Sequence, residues 1–142
     1  MQISSAGYTR YDSDAFRQAL RARGVPLCTA SGVYDDPCAQ HALALLLSAA
    51  RQLPQAWALH NRRTWDTPAV RRKSALLTGQ TILLVGYGAI ARRLADLLKP
   101  FAAHVIGVRR EIRGDENIPM IRSDEIDRVL PAADHVVNIL PA

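Results

Sequence analysis

The sequence predicts an α/β chain built on a doubly wound parallel sheet, and three observations carry that expectation. Short apolar stretches, "TILLV" at 81–85, "AHVIGV" at 103–108 and "HVVNIL" at 135–140, have the length and composition of buried strands. Between the first two, Ile90, Leu94, Leu97, Leu98 and Phe101 recur at helical spacing on one face. A glycine turn, "GYGAIA" at 86–91, joins the first strand directly to that helix. Strands alternating with helices of this length form parallel sheets through right-handed crossovers.

In chain order, "QISSAGYTRYD" begins mid-pattern, which raises the expectation that sequence preceded Met1. "DSDAFRQALRARG" reads as a short helix, with Asp12 or Ser13 as N-cap and Gly24 as its stop. "VPLCTA" at 25–30 reads as a short strand. A second helix starts at an Asp36 cap, with Pro37 at the first helical position, where a missing N–H costs nothing. From Ala39 to Leu53 nearly every position is apolar or small, so this helix is expected to be covered on all sides, between domains or between subunits. Pro54 ends or kinks it, and "QAWALHNRRTWDTPAVRRKSA" reads as a polar connection over the surface. Pro100 stops the helix after the glycine turn. "PMIR" offers a short third strand, and "SDEIDRVL" a helix capped by Ser123.

Length and composition set limits on this reading. A chain of 142 residues has room for one core, and 49% apolar with 22% charged residues is globular composition. The longest apolar run, Ala42 to Ala50, falls far short of the roughly 20 residues that span a bilayer, so no membrane partner is expected. The N-terminus lacks a basic segment followed by an apolar one, and a cytoplasmic location is the simplest expectation. Cys28 and Cys38 lack metal-ligand spacing and read as ordinary thiols, with no metal site. The net charge of +5 raises the question of nucleic acid. Its basic clusters, "RRTWDTPAVRRK" and "VRREIR", do not interleave aromatics as a stacking platform would, and no nucleic-acid partner is expected.

The glycine turn carries the chemistry. Gly86, Tyr87, Gly88, Ala89, Ile90 and Ala91 fit the G-x-G-x-x-G/A fingerprint in its meaningful context, after a strand and opening a helix, which makes the fold Rossmann-like. Gly86 permits the tight turn and Gly88 lets the backbone approach a pyrophosphate. Ala91 allows close helix-to-strand packing. The first-turn N–H groups, Ala89 and Ile90 among them, point at the phosphates with the positive end of the helix dipole behind them. The end of the second strand then selects the cofactor. An acid there binds the ribose hydroxyls of NAD, whereas arginine accommodates a 2′-phosphate. Arg109 and Arg110 stand at that point, so NADP is the preferred cofactor and NAD the alternative. The same arginines count against an S-adenosylmethionine methyltransferase.

The residues also carry a resemblance. "SSAGYTRYD", "PCAQHALALLLSAARQLP", "LTGQTILLVGYGAIARRLADLLKPFAAHVIGVRR" and "IDRVLPAADHVVNILP" follow one another in the order of the D-isomer-specific 2-hydroxyacid dehydrogenases, which the chain resembles over nearly its whole length. That group contains phosphoglycerate, glyoxylate/hydroxypyruvate and D-lactate dehydrogenases. The departures are Gln40 in place of an acid, Ala91 ending the glycine pattern, and Arg109 where NAD-preferring members carry Asp. The resemblance implies that residues 1–35 are the C-terminal part of a flavodoxin-like substrate domain. It makes 36–77 an interdomain and dimerisation helix with its connection, and 78–142 the N-terminal half of the NAD(P)-binding domain. Ala6 and Gly7 match the loop whose backbone amides meet the substrate carboxylate. Leu140 and Pro141 match the segment lining the cofactor pocket, and the apolar helix matches one in a homodimer interface.

Hydride transfer to a 2-keto acid needs a cation to polarise the ketone and an acid to protonate the alkoxide. In the family an arginine, a histidine and a partnering acid supply these, all beyond the "LP" segment. None of His41, His60, His104 and His135 is placed to substitute. The chain therefore resembles an internal section of a dehydrogenase, expected to bind cofactor without turning over a 2-hydroxy acid. A non-catalytic, redox-responsive dinucleotide-binding module is the alternative.

Overall fold

The computed structural model describes residues 1–140. Its centre is a four-stranded parallel sheet in the order β3-β2-β1-β4, formed by β1 (Thr81–Val85), β2 (His104–Arg109), β3 (Met120–Arg122) and β4 (His135–Asn138). β1 is flanked on both sides, pairing Thr81–Val85 with His104–Val108 and Ile82–Val85 with His135–Asn138. A strand so placed must be apolar on both faces. Ile82, Leu83 and Leu84 are accordingly sealed from solvent.

Of the helices, α5 (Ala89–Leu98) and α2 (Asp35–Ala50) build the core with the sheet. The spacing of Ala91, Leu94, Ala95 and Leu98 puts them on one face of α5, where they join Ala39, Leu46 and Ala50 of α2 and Ile82 and Leu84 of β1. Asp36 and Arg93 form an ion pair across the two helices. β2 passes close under this layer at Gly107, where a Cβ would lie 2.5 Å from the Met120 sulfur and 3.0 Å from the Tyr87 ring. The glycine in mid-strand is there for that close approach.

Several expectations hold and several are corrected. The first helix, α1 (Asp14–Ala22), is capped by Ser13, whose Oγ accepts from Phe16 N at 3.3 Å, and Gly24 follows at φ +59. "VPLCTA" forms no extended strand: a single parallel bridge joins Cys28 to Gln2, since no longer partner runs beside it. The second helix begins two residues earlier than expected, at Asp35 after Tyr34, and Asp36 serves the Arg93 ion pair instead of capping.

The presumed surface connection is largely helical. Gln52 takes a left-handed conformation at φ 56, and Pro54 sits at the start of α3 (Leu53–Asn61), where proline is tolerated. Asp66 caps α4 (Thr67–Lys73), accepting from Ala69 N at 3.1 Å. Ser123 opens a short 3-10 turn, Ser123–Glu125, before α6 (Ile126–Val129); the capping contact there is Glu125 Oε2 accepting from Arg122 N at 3.0 Å. Nor is α2 covered all round within this chain. Its inner residues are buried, whereas Leu45 is 58% exposed, and Leu53 and Trp57 of α3 also face solvent.

Candidate functional site

The site is assembled where β1 ends. Gly86 takes φ +94, a conformation that side chains rarely adopt, and its N–H donates to the Val108 carbonyl at 2.9 Å. A Cβ on Gly86 would stand 3.1 Å from Leu140 Cδ2 and 3.2 Å from the Ile139 carbonyl, so the chain leaving β4 presses directly on the turn. Gly88 differs. It is exposed, its backbone is extended (φ −98, ψ −160), and a Cβ there would meet nothing within 4 Å. One glycine is required by the protein itself; the other leaves the space in front of the helix open.

That space is the end of α5, where the N–H groups of the first turn have no partner inside the helix. Ala89 is exposed and Ile90 half-buried, while Ala91 is sealed against the sheet. The expected fingerprint roles therefore have the required geometry: a tight turn, an open approach and a small packing residue. A phosphate group placed before this turn meets unpaired amides and the positive end of a helix dipole.

Tyr87 turns inward and is 4% exposed. Burial raises the tyrosine pKa, and the Arg92 guanidinium, 5.2 Å above the ring, opposes that rise. Its hydroxyl donates to Asn117 Oδ1, and Asn117 Nδ2 reaches Asp96 Oδ1 at 3.4 Å. Arg92 in turn donates to the Asp115 carbonyl at 3.0 Å and its carboxylate at 2.9 Å. The loop after β2 is thus strapped onto the glycine turn and α5.

Arg109, the last residue of β2, lies under this strap with only 15% of its side chain exposed. Its Nη1 donates to Glu116 Oε1 at 2.7 Å. The Glu116 carboxylate also accepts from Arg113 N at 3.0 Å and Gly114 N at 2.8 Å, and is itself 3% exposed. These hydrogen bonds, the Arg113 N–H first among them, hold its pKa down from 4.5 to about 2. Arg110 is exposed beside them.

The other expected residues are scattered. Leu140 touches the glycine turn, and Pro141 lies outside the described residues. Ala6 and Gly7 occupy an exposed loop tied to Ala30 and Tyr34, the latter through its hydroxyl to the Ser4 carbonyl at 2.8 Å. Among the described residues no hydrogen bond joins that loop to the glycine turn. Of the histidines, His135 pairs with Gln80 at 2.9 Å at the amino end of the sheet, His60 stacks on Trp57, and His41 and His135 line a groove that reaches Ile90. A groove of about 900 Å³ runs from Ile90 and Ile139 past Asn138 to His41 and Leu45. A second hollow, of about 880 Å³, lies between α3 and α4, away from the turn. Sequence reasoning did not find Glu116, Asn117 or Asp115; the only signal was an acidic pair after Gly114, with nothing to say which cation it would meet.

Fold and turn together define a dinucleotide-binding α/β domain. The profile described as "D-isomer specific 2-hydroxyacid dehydrogenase, NAD binding domain" matches residues 43–142. The chain is 27% identical over 128 residues to D-3-phosphoglycerate dehydrogenase of Methanocaldococcus jannaschii, covering 87% of this chain and 24% of that protein. It is 32% identical over 101 residues to glyoxylate reductase of Thermococcus litoralis, covering 68% of this chain and 30% of that one. The solved structure of the TT0316 protein of Thermus thermophilus superposes with a TM-score of 0.76 at 26% identity, covering 97% of this chain and 42% of that chain. The protein belongs to the D-isomer-specific 2-hydroxyacid dehydrogenase family, and the matched region is the NAD-binding domain of that oxidoreductase family. The chain spans about a quarter of the curated phosphoglycerate dehydrogenase that it matches.

Proposed function

We infer that this chain binds the nicotinamide dinucleotide of a D-2-hydroxyacid oxidoreductase, with the pyrophosphate before Gly86, Tyr87, Gly88, Ala89 and Ile90. The observation that carries this reading is the contrast at the turn: Gly86 is pinned by positive φ and by Ile139, while Gly88 faces empty space at a helix N-terminus. The adenosine ribose then falls at the end of β2, where the pair Arg109–Arg110, with Arg110 exposed, favours the 2′-phosphate of NADP over the bare hydroxyls of NAD. Leu140 lines the pocket beyond the turn, beside Gly86. The substrate is a small 2-keto or 2-hydroxy acid, its carboxylate met by the Ala6–Gly7 loop of a substrate domain that includes residues 1–35. The exposed apolar residues Leu45, Leu53 and Trp57 support a homodimer contact through α2 and α3. Cofactor binding is the role assigned to these residues, and none of His41, His60, His104 and His135 is assigned a part in the hydride step.

The test is a fluorescence titration of the folded chain with NADPH and NADH, beside Gly88→Ala. Binding by the parent chain, weakened at least tenfold in Gly88→Ala at an unchanged melting temperature, is expected, because the added methyl enters only the space reserved for phosphate. Equal binding by both proteins removes the turn from the site. Sizing of the same samples checks the dimer.

A further inference from the structure

A pair of arginines at the end of β2 presents one free cation here, not two. Arg109 is held by Glu116 at 2.7 Å, and a carboxylate that is 3% exposed and takes two backbone N–H bonds is a fixed negative charge. The pair sits beside the turn, since the residue preceding Arg109, Val108, supplies the carbonyl that holds Gly86 N at 2.9 Å. The strap through Asp115–Arg92 and Asn117–Tyr87 leaves the loop little freedom to carry Glu116 away. Arg110 is exposed, with no ion pair among the described residues.

The geometry points to Glu116 as a residue that sets the choice between NADH and NADPH: by neutralising Arg109 at the strand end, its carboxylate weakens the site for a 2′-phosphate. This rests on the cofactor reading above and deepens it. A negative charge one side chain from the ribose opposes a phosphate dianion and leaves an uncharged ribose nearly unaffected. Arg110 then supplies the accessible cation, and Arg109 is available to the phosphate only to the extent that Glu116 releases it.

The experiment measures the Kd of NADPH and of NADH for the parent chain, Glu116→Gln, Arg109→Met and the double variant, with melting temperatures recorded alongside. Glu116→Gln is expected to shift the ratio about tenfold toward NADPH. Arg109→Met should move it toward NADH, and the double variant, again a neutral pair, should return near the parent ratio. A purely structural role for Glu116 loosens the loop and weakens both cofactors alike; an unmoved ratio, or a shift of both single variants in one direction, overturns the inference while leaving the cofactor site standing. If Glu116→Gln does not fold, Arg109→Met and the double variant carry the same comparison. A folded parent chain that binds neither cofactor overturns the site and this inference together.

Discussion

Residues 1–34 and residues 77–109 are stretches of nearly equal length held by different means. In the second, the middle of β1 and the inner face of α5 are dry, and Leu77, Leu83, Leu94 and Leu98 are among its residues exposed by 3% or less. In the first, Ile3 is the one buried apolar residue among those described, and order comes from polar contacts: Ile3 N to Cys28 O, Cys28 N to Met1 O, Ala30 N to Ser5 O and the Tyr34 hydroxyl to Ser4 O. Net hydrogen bonds contribute about 1 kcal/mol each, whereas a fully buried aliphatic side chain contributes about 1.5–3. The glycine turn is therefore fastened to the stable body, and the loop bearing Ala6 and Gly7 to a body that gains little by itself.

The contrast breaks most sharply at Leu94. It is sealed between α2 and β1, and Leu94→Ala removes apolar contacts on both sides, at an expected cost of about 2–5 kcal/mol in denaturant unfolding. A loss under 1 kcal/mol would mean that α5 is not packed as described. Next is Gly86→Ala. The positive φ and the contacts with Ile139 and Leu140 predict about 1–3 kcal/mol of destabilisation together with loss of NADPH binding, read by calorimetry and titration. Smaller still is Tyr34→Phe, which removes one exposed hydrogen bond. It should leave the global midpoint in place and speed amide exchange by a few-fold within residues 1–34 alone. A global shift would show that the first body is coupled to the second more tightly than its contacts imply.

The same division governs what was legible in the sequence. Burial leaves a periodic trace, so "TILLV", the α5 pattern and the glycine turn could be read directly, as could the Ser13 cap. Where structure rests on polar contacts or strained backbone, the trace fails. "VPLCTA" looks apolar enough for a strand, but strand formation depends on a partner that sequence does not reveal, and only one bridge forms. Gln52 in the left-handed region lets the chain re-enter a helix after a break that Pro54 alone seemed to end, and Asp66 then starts another. Around the glycine turn, residue type singled out Gly86, Gly88 and Arg109 as candidates. The meeting of Arg109 with Glu116 depends on the fold of an irregular loop through Gly114, φ +79, which has no period to read.

That loop supplies the smallest effect and the most specific one. Glu116 has a pKa of about 2 in the folded chain against an ordinary 4.5, so folding binds its proton more weakly than the unfolded chain does. Its contribution to stability is complete above pH 4.5, where the carboxylate is ionised in both states. It declines as pH falls from 4.5 toward 2 and is gone below that. Asp96, whose pKa is lowered chiefly by its hydrogen bond from Lys99, adds acid sensitivity of the same sign, so the parent chain alone cannot isolate the loop. The difference between the parent chain and Glu116→Gln does isolate it, because Asp96 is common to both. That difference, measured by urea unfolding at intervals of pH, should be flat from neutrality to about pH 5 and narrow below it. A gap that stays constant down to pH 2.5 would mean that the carboxylate charge contributes nothing to the strap, and that Arg109 is held by packing instead.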